Sequence, residues 1–360
     1  MEIISALAAQ LTKGLLQGIL VNGSIITIIY LIFWKFLKTK IKNFRIQINQ
    51  RADAAQIKSE IINAIGATLM GASFSCIIYF LSEKGYTQVY TNLHDHHPFF
   101  AYAGFFILLF LDDTWFYWSH RLLHHPKIYK YVHAVHHKSI DVTPYTSLSF
   151  HPLEAFIATF WILPVSFLFP MYLPALAVLQ IYGLYDNIKS HLGYEFFPTK
   201  FNKSWLGFLS TSTYHNMHHS KFNGNYGVHF RFWDKLMGTE FKDYEQEFDT
   251  IKNRANGIIT EQETTDYATI IGNIMVNYKG THQISINNDE TILDALIRQE
   301  IAVPYACKKG NCGTCKCELT KGDVDTKPSR AITQEEIDKG LILICQSKMV
   351  SENIEVKVLI

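Results

Sequence analysis

Fourteen of the sixteen histidines precede position 220, and most fall in three clusters: His120-Arg-Leu-Leu-His124, His133-Ala-Val-His136-His137 and His215-Asn-Met-His218-His219. Residues three and four apart share a helix face, so His133 meets His136 and His137, and His215 meets His218 and His219. Adjacent histidines diverge by about 100° around a helix, which lets one cluster feed two neighbouring metal ions. Two such clusters and an i,i+4 pair predict a dinuclear, oxygen-activating metal centre. A single histidine in an apolar stretch is more often a hydrogen-bonded core residue; a repeated H-x-x-H-H form is not. Imidazole ligands alone leave zinc, copper, iron and nickel open.

The cysteines form a second constellation. Five of the six follow position 300, and four have the spacing Cys307-x4-Cys312-x2-Cys315 with Cys345 after 29 intervening residues. This is the plant-type [2Fe-2S] ligand spacing. Gly310 and Gly313 permit a tight loop whose backbone N–H groups approach the sulfurs and help set the potential. A structural zinc site would show paired C-x2-C knuckles, which this arrangement lacks, and disulfides do not suit a cytoplasmic face. Cys317 and Cys76 read as packing residues.

The histidines must be held by helices, and the apolar residues show where these run. The chain is 48% hydrophobic and 14% aromatic, rich for a purely soluble protein. Three stretches, about 19–37, 61–81 and 99–118, approach the roughly twenty residues that a bilayer core requires. Asp112 and Asp113 interrupt the third, and charges at that depth need a polar interior. A fourth region, 156–185, carries Pro164, Pro170 and Pro174 and is expected to turn back as two halves, leaving all histidine clusters on one membrane face. Lys35, Lys38, Lys40 and Lys42 after the first span place that face in the cytoplasm by the positive-inside rule. The first twenty residues lack a basic segment, so the early apolar run is expected to anchor rather than to be cleaved. The formal charge of +1 gives no sign of a nucleic-acid partner.

The motifs carry two resemblances. Residues 98–241 resemble the membrane fatty acid hydroxylase and sterol desaturase superfamily. The likeness runs through Asp113 to Arg121, His133-x-x-His136-His137, His151-Pro152-Leu153-Glu154, His191-Leu192-Gly193-Tyr194, His215-x-x-His218-His219 and Gly224-Asn225-Tyr226-Gly227. The run 306–315 resembles the cluster loop of plant-type ferredoxins, and that likeness extends over about 267–360, with alternation at 283–286, an amphipathic stretch at 291–300 and a closing strand at 354–360. Together they imply an α-helical integral membrane domain with a cytoplasmic histidine-rich cap, followed by a C-terminal α+β (β-grasp) ferredoxin domain. The boundaries expected are 1–97 for N-terminal membrane helices, 98–241 for the diiron domain, 242–265 for a polar, acidic linker and 266–360 for the ferredoxin-like domain.

The superfamily resemblance implies two iron ions held by His120, His124, His133, His136, His137, His191, His215, His218 and His219, with His151 as a weaker tenth. Some members carry a further histidine where Asn187 stands here, which makes Asn187 a neighbour of the ligands. Asp113 is expected to accept a hydrogen bond from a ligand imidazole. His125 lies off the face shared by His120 and His124, His229 stands where aromatic residues are common in the family, and His94, His96 and His97 are expected in a solvated loop.

The superfamily resemblance implies an oxidoreductase that uses O2 to hydroxylate a C–H bond of a lipid, and the fused [2Fe-2S] domain is expected to pass the electrons. A short flexible tether raises the donor's local concentration to about millimolar. No G-x-G-x-x-G lies in a βαβ setting, so an external NAD(P)H-dependent flavoprotein reductase is the expected partner. Lys308, Lys309, Glu335, Glu336 and Asp338 are candidate docking charges. The expected location is a bacterial inner membrane. Desaturation of a sterol or fatty acyl chain would use the same ligands, and a membrane-anchored electron carrier with zinc or haem is the non-enzymatic alternative.

Overall fold

Two helices in the computed structural model are long and apolar enough to cross a membrane, Ile4–Phe36 and Ala54–Glu83. The structure describes residues 2–47, 52–258, 270–278, 280–287, 290–299, 301, 303–305 and 307–359. The first long helix comprises α1 (Glu2–Leu16) and α2 (Gly23–Tyr30), joined by a π-helical segment at Gln17–Asn22 and extended by another at Leu31–Phe36. It begins earlier than the apolar stretch expected at 19–37, because no proline interrupts the preceding residues. The second, α3 (Ala54–Glu83), starts where the Asp53 side chain accepts from the Gln56 N–H at 2.8 Å. Glycine lets the first long helix approach α3 closely: a Cβ on Gly18, in the Gln17–Asn22 segment, would lie 2.3 Å from Cγ2 of Thr68.

The third apolar stretch differs from expectation. It is divided at Ala103 into α4 (Pro98–Tyr102) and α5 (Gly104–Leu123), and α5 spends part of its length on Asp112, Asp113 and His120. It is not among the helices long and apolar enough to span. Short α6 (Pro126–Tyr129) and α7 (Ala134–His137) follow. The proline-interrupted region does form two arms: α8 (Pro152–Thr159) and α9 (Ile162–Leu168) run out, and α10 (Leu173–Ser190) runs back. Pro170 sits at the turn, and Pro174 occupies the first turn of α10, where a missing N–H costs little. There β1 (Val89–Tyr90) pairs in parallel with β2 (Met171–Tyr172). At the other end, Asn187 Nδ2 donates to the Ser147 carbonyl at 2.6 Å, so α10 returns to the segment that enters α8. Leu108, Leu109, Trp161, Met171 and Leu179 form the core between these arms and α5.

Helices α11 (Ser212–Lys221), α12 (Phe232–Met237) and α13 (Tyr244–Ala255) complete the first unit. The linker expected from 242 is corrected by α13. Its Tyr244 and Phe248 are buried with Phe201, Tyr214, Met217 and Phe241, and Ile251 is buried beside them in sequence. Apolar residues at i, i+4 and i+7 inside an acidic background give this helix a core-facing stripe. Residues 259–269, which hold the rest of the expected linker and the start of the next domain, lie outside the described residues, as does Ala306.

The second compact unit, chiefly Gly257–Ile360, contains a sheet. Its strands are β3 (Ile270–Asn277), β4 (Thr281–Asn287), β5 (Lys316–Lys321), β7 (Leu341–Leu343) and β9 (Asn353–Val358), in the order β4-β3-β9-β5-β7. Only β3 and β9 are parallel neighbours in it. Strands β6 (Val324–Thr326) and β8 (Ser347–Met349) pair separately. Ile274 and Val276 are buried while Met275 between them is exposed, the period-two pattern of a one-sided sheet. The helices α14 (Ile292–Arg298) and α15 (Gln334–Asp338) each begin with a capping box, Thr291 with Asp294 and Thr333 with Glu336.

Candidate metal centres

Nine buried histidines bring their ring nitrogens together in two groups. His120, His124, His133, His137 and His218 form one, and His136, His191, His215 and His219 the other; within each group the candidate ligand atoms lie within 4.8 Å of one another. The adjacent pairs split as helical geometry requires: His137 and His218 enter the first group, His136 and His219 the second. His136 and His137 have ring centroids 5.8 Å apart at an interplanar angle of 81°, and His218 and His219 5.8 Å apart at 87°.

Each group converges through Nε2. In the first, His120 Nε2 is 3.0 Å from His133 Nε2, and His218 Nε2 is 3.0 Å from His137 Nε2 and 3.2 Å from His124 Nε2. In the second, His191 Nε2 is the hub, 3.3 Å from His136, 3.2 Å from His219 and 3.1 Å from His215.

The outward nitrogens fix the tautomers. Nδ1 of His120 faces the Tyr226 carbonyl, that of His218 the Gly224 carbonyl, that of His136 the Ser149 carbonyl, that of His191 the Asn187 carbonyl and that of His219 the Ser139 carbonyl, all between 2.7 and 3.1 Å. A carbonyl can only accept, so these rings donate from Nδ1 and their Nε2 atoms carry bare lone pairs. Burial holds all nine rings below the ordinary imidazole range, His120 and His191 down to about 4. Neutral rings need lose no proton before binding a metal. Lone pairs directed at one another across 3.0–3.3 Å repel, and a cation between them turns that repulsion into coordination. The donor sets therefore fit metal ions, one per group.

Glu154 belongs to the motif at 151–154, but its role beside a ligand was not foreseen. Its Oε1 accepts from His133 Nδ1 at 2.7 Å, a buried carboxylate behind a ligand imidazole. The signal available was a glutamate in the first turn of an otherwise apolar helix. Two expected residues sit elsewhere. His151 is outside both groups: it caps α8, with Nδ1 accepting from the Leu153 N–H at 3.2 Å. Asp113 does not face a ligand ring; its Oδ1 accepts the backbone N–H groups of His229 and Phe230. Asn187 does adjoin a ligand, but through its carbonyl to His191.

His125 caps α6 and is exposed. His94 and His97 lie in the exposed segment before α4. His229 is clamped between two carboxylates, Nδ1 at 3.0 Å from Asp186 and Nε2 at 3.1 Å from Asp112. Burial alone would lower its pKa, but hydrogen bonds to Asp112 and Asp186 raise it to about 10, so it is an imidazolium.

A narrow cleft touches both groups. His120 and His133 of the first and His136, His191 and His215 of the second line it, together with Phe116, Leu123, Phe150, Ala158 and Val228. Its polar points are Ser119, Glu154 and Asn187.

In the second unit the cysteine loop is already shaped for sulfur ligation. Backbone N–H groups of Lys309 and Asn311 point at Cys307 Sγ at 3.4 and 3.3 Å, and Cys315 and Cys345 sulfurs are 3.1 Å apart. The Cys312 thiol and those N–H groups lower the Cys307 thiol below the ordinary cysteine range. Gly310, at φ +71°, could not carry a Cβ, which would fall 2.4 Å from Ser329 Oγ. Cys317 is buried on β5, and burial pushes its thiol up to about 12. Cys76 packs in α3 against the Leu7 carbonyl at 3.8 Å.

Comparison with known proteins agrees with both halves. Residues 105–239 match the fatty acid hydroxylase family, and residues 275–350 match the 2Fe-2S iron-sulfur cluster binding domain. The first half is similar to a Delta(7)-sterol 5(6)-desaturase of Gibberella zeae, 31% identical over 51% of this chain and 51% of the relative. It is also similar to a putative methylsterol monooxygenase of Dictyostelium discoideum, 38% identical over 37% of this chain and 49% of the relative. A third relative is the lathosterol oxidase of Rattus norvegicus, 31% identical over 51% of this chain and 61% of the relative. The chain thus spans about half the length of the curated relatives it matches. Iron and a 2Fe-2S cluster are the cofactors that go with these domains. One polypeptide here joins a domain of the fatty acid hydroxylase and sterol desaturase family to a 2Fe-2S ferredoxin-type domain.

Proposed function

We propose that the protein is a membrane-bound diiron oxygenase that hydroxylates a C–H bond of a lipid, with electrons delivered through its own [2Fe-2S] domain. The reading rests on one observation above all: an apolar cleft lined by rings of both histidine groups. Iron held there would supply the reduction of O2 and the hydrogen abstraction that an unactivated C–H bond demands. The overall change is R–H, O2, two electrons and two protons going to R–OH and water. The nine histidines are the proposed ligands, and the domain spanning 98–241 the proposed catalytic unit.

The chain's own residues do the rest. Phe116, Leu123, Phe150, Ala158 and Val228 give the cleft an apolar lining, which suits an apolar substrate and disfavours water at the reacting carbon. Glu154 holds the His133 ring through Oε1, while Oε2 has no partner among the described residues and belongs to the cleft lining. The cysteine loop passes electrons singly, so two deliveries complete a turnover.

The outward-facing apolar side chains of the two long helices, such as Ile19, Leu20, Ile62 and Leu69, support a bilayer setting. Lys35, Lys38, Lys40 and Lys42 favour the cytoplasm for the histidine cap and the ferredoxin domain. An NAD(P)H-dependent reductase is the proposed donor, and a sterol-like or long-chain lipid the proposed substrate. Desaturation is the second reading, favoured by the desaturase among the relatives. It consumes the same O2 and electrons, removes two hydrogens and releases two waters. Incubation with reductase, NAD(P)H, 18O2 and a lipid extract separates the outcomes: one 18O in the product means hydroxylation, loss of two hydrogens without label means desaturation, and an unchanged lipid pool contradicts both.

A further inference from the structure

The long helix α3 carries a carboxylate that its apolar composition does not explain. Glu60 is 1% exposed, and four side chains converge on it. Ser139 Oγ donates to Oε1 at 2.6 Å, Thr146 Oγ1 to Oε1 at 2.8 Å, Gln56 Nε2 to Oε1 at 2.8 Å and Thr143 Oγ1 to Oε2 at 2.6 Å. Three of these donors belong to the segment 139–149, which joins α7 to α8. One turn along the same face of α3, Asn63 Nδ2 donates to Ser149 Oγ at 3.2 Å and grips the far end of that segment. A buried ionisable group in a helix of this kind is retained for a function rather than for stability.

The clamped segment is the outer support of the four-histidine group. The Ser139 carbonyl accepts from His219 Nδ1, the Ser149 carbonyl from His136 Nδ1, and the Ser147 carbonyl holds Asn187, whose own carbonyl accepts from His191. Three of the four rings thus take their orientation from a segment that Glu60 and Asn63 fix. The five-histidine group is supported differently: Tyr226 and Gly224 carbonyls and the Glu154 carboxylate orient His120, His218 and His133. None of these bonds involves α3.

We propose that Glu60 is a positioning residue for the four-histidine metal ion: from a bilayer-type helix it sets the segment whose carbonyls aim His136 and His219 directly and His191 through Asn187, and it does not serve the five-histidine ion. The inference rests on the proposed diiron reading. Outer-shell partners of metal-bound histidines are worth about 10- to 100-fold in metal affinity, so removing the clamp is expected to empty the four-histidine site first.

The test is 57Fe Mössbauer spectroscopy and iron quantification on full-length protein in detergent. His215→Ala and His218→Ala serve as references, each removing the component of its own group. Wild-type protein is expected to hold about four irons, two of them in the cluster. Glu60→Ala is expected to lose the component that His215→Ala loses and to keep the one that His218→Ala loses. In Glu60→Gln the amide nitrogen cannot accept from Thr143, so that variant should show the same component displaced or weakened. Its near-isosteric side chain separates positioning from gross misfolding. Both Glu60 variants retaining unaltered histidine-site components would overturn the inference. So would parallel loss of both components with the cluster signal intact, because Glu60 would then serve the domain and not one ion. Wild-type protein with cluster iron alone would overturn the diiron reading and the inference with it.

Discussion

The five-histidine and four-histidine groups present the same inward nitrogen, yet the chain aims them by different means. Behind the first stand the short 224–226 segment and one carboxyl group, Glu154; behind the second stand neutral carbonyls, those of Ser139 and Ser149 on a segment tied to α3 and that of Asn187 on α10. A carboxylate behind an imidazole raises the basicity of the ligand, whereas a carbonyl mainly fixes its direction. The difference teaches that sharing of the H-x-x-H-H clusters does not make the two sites equal. The first is expected to hold the more electron-rich iron, the second to depend more on the integrity of the surrounding fold.

The largest effects come from the rings themselves. His191→Ala removes the hub of the four-histidine group and is expected to abolish that iron and lower lipid turnover by more than about 100-fold. Persistence of both histidine-site irons in that variant would break the division into groups. Glu154→Gln keeps an acceptor for His133 but removes the carboxyl group. Turnover is expected to fall by about 10- to 100-fold, with the five-histidine component altered and the four-histidine component unchanged.

A smaller effect lies outside both groups. His229 binds Asp112 and Asp186, and Asp186 also holds Lys189 at 2.5 Å. Its folded pKa, raised to about 10, exceeds the ordinary 6.5, so its stabilisation is fully present below about 6.5 and is lost as pH rises through about 10. The unfolding midpoint in detergent should therefore decline across that interval. In His229→Gln the decline should flatten, and the overall stability should drop by about 3 kcal/mol because buried Asp186 and part-buried Asp112 lose the imidazolium between them. The smallest expected change is at Gly18, where Gly18→Ala forces Thr68 to move and should lower the midpoint without altering iron content.

Much of the site is legible in the sequence because ligand spacing and helix geometry are local. The splitting of His136 from His137 and of His218 from His219 follows from a 100° step, and the cysteine spacing names its cluster directly. What surrounds the rings is not local. Ser139 serves a histidine 80 residues away through a backbone carbonyl, a group that every residue possesses and that leaves no mark in the sequence. Asp113 was misplaced for a related reason: its position on the His120 face is a local fact, but its partners lie at His229 and Phe230. His191, a lone histidine after α10, could be assigned only through family resemblance. The acidic stretch after 241 read as a linker because its charges outnumber the apolar residues; Tyr244, Phe248 and Ile251 nevertheless mark one face of α13.

The most direct test of two iron ions held by nine histidines beside a separate cluster is a metal count on paired proteins, the wild type and Cys345→Ser. About four irons in the wild type and about two in the variant, whose cluster absorbance is gone, is the predicted result. Two irons in the wild type and none in the variant, or zinc in place of the histidine-bound iron, would contradict it.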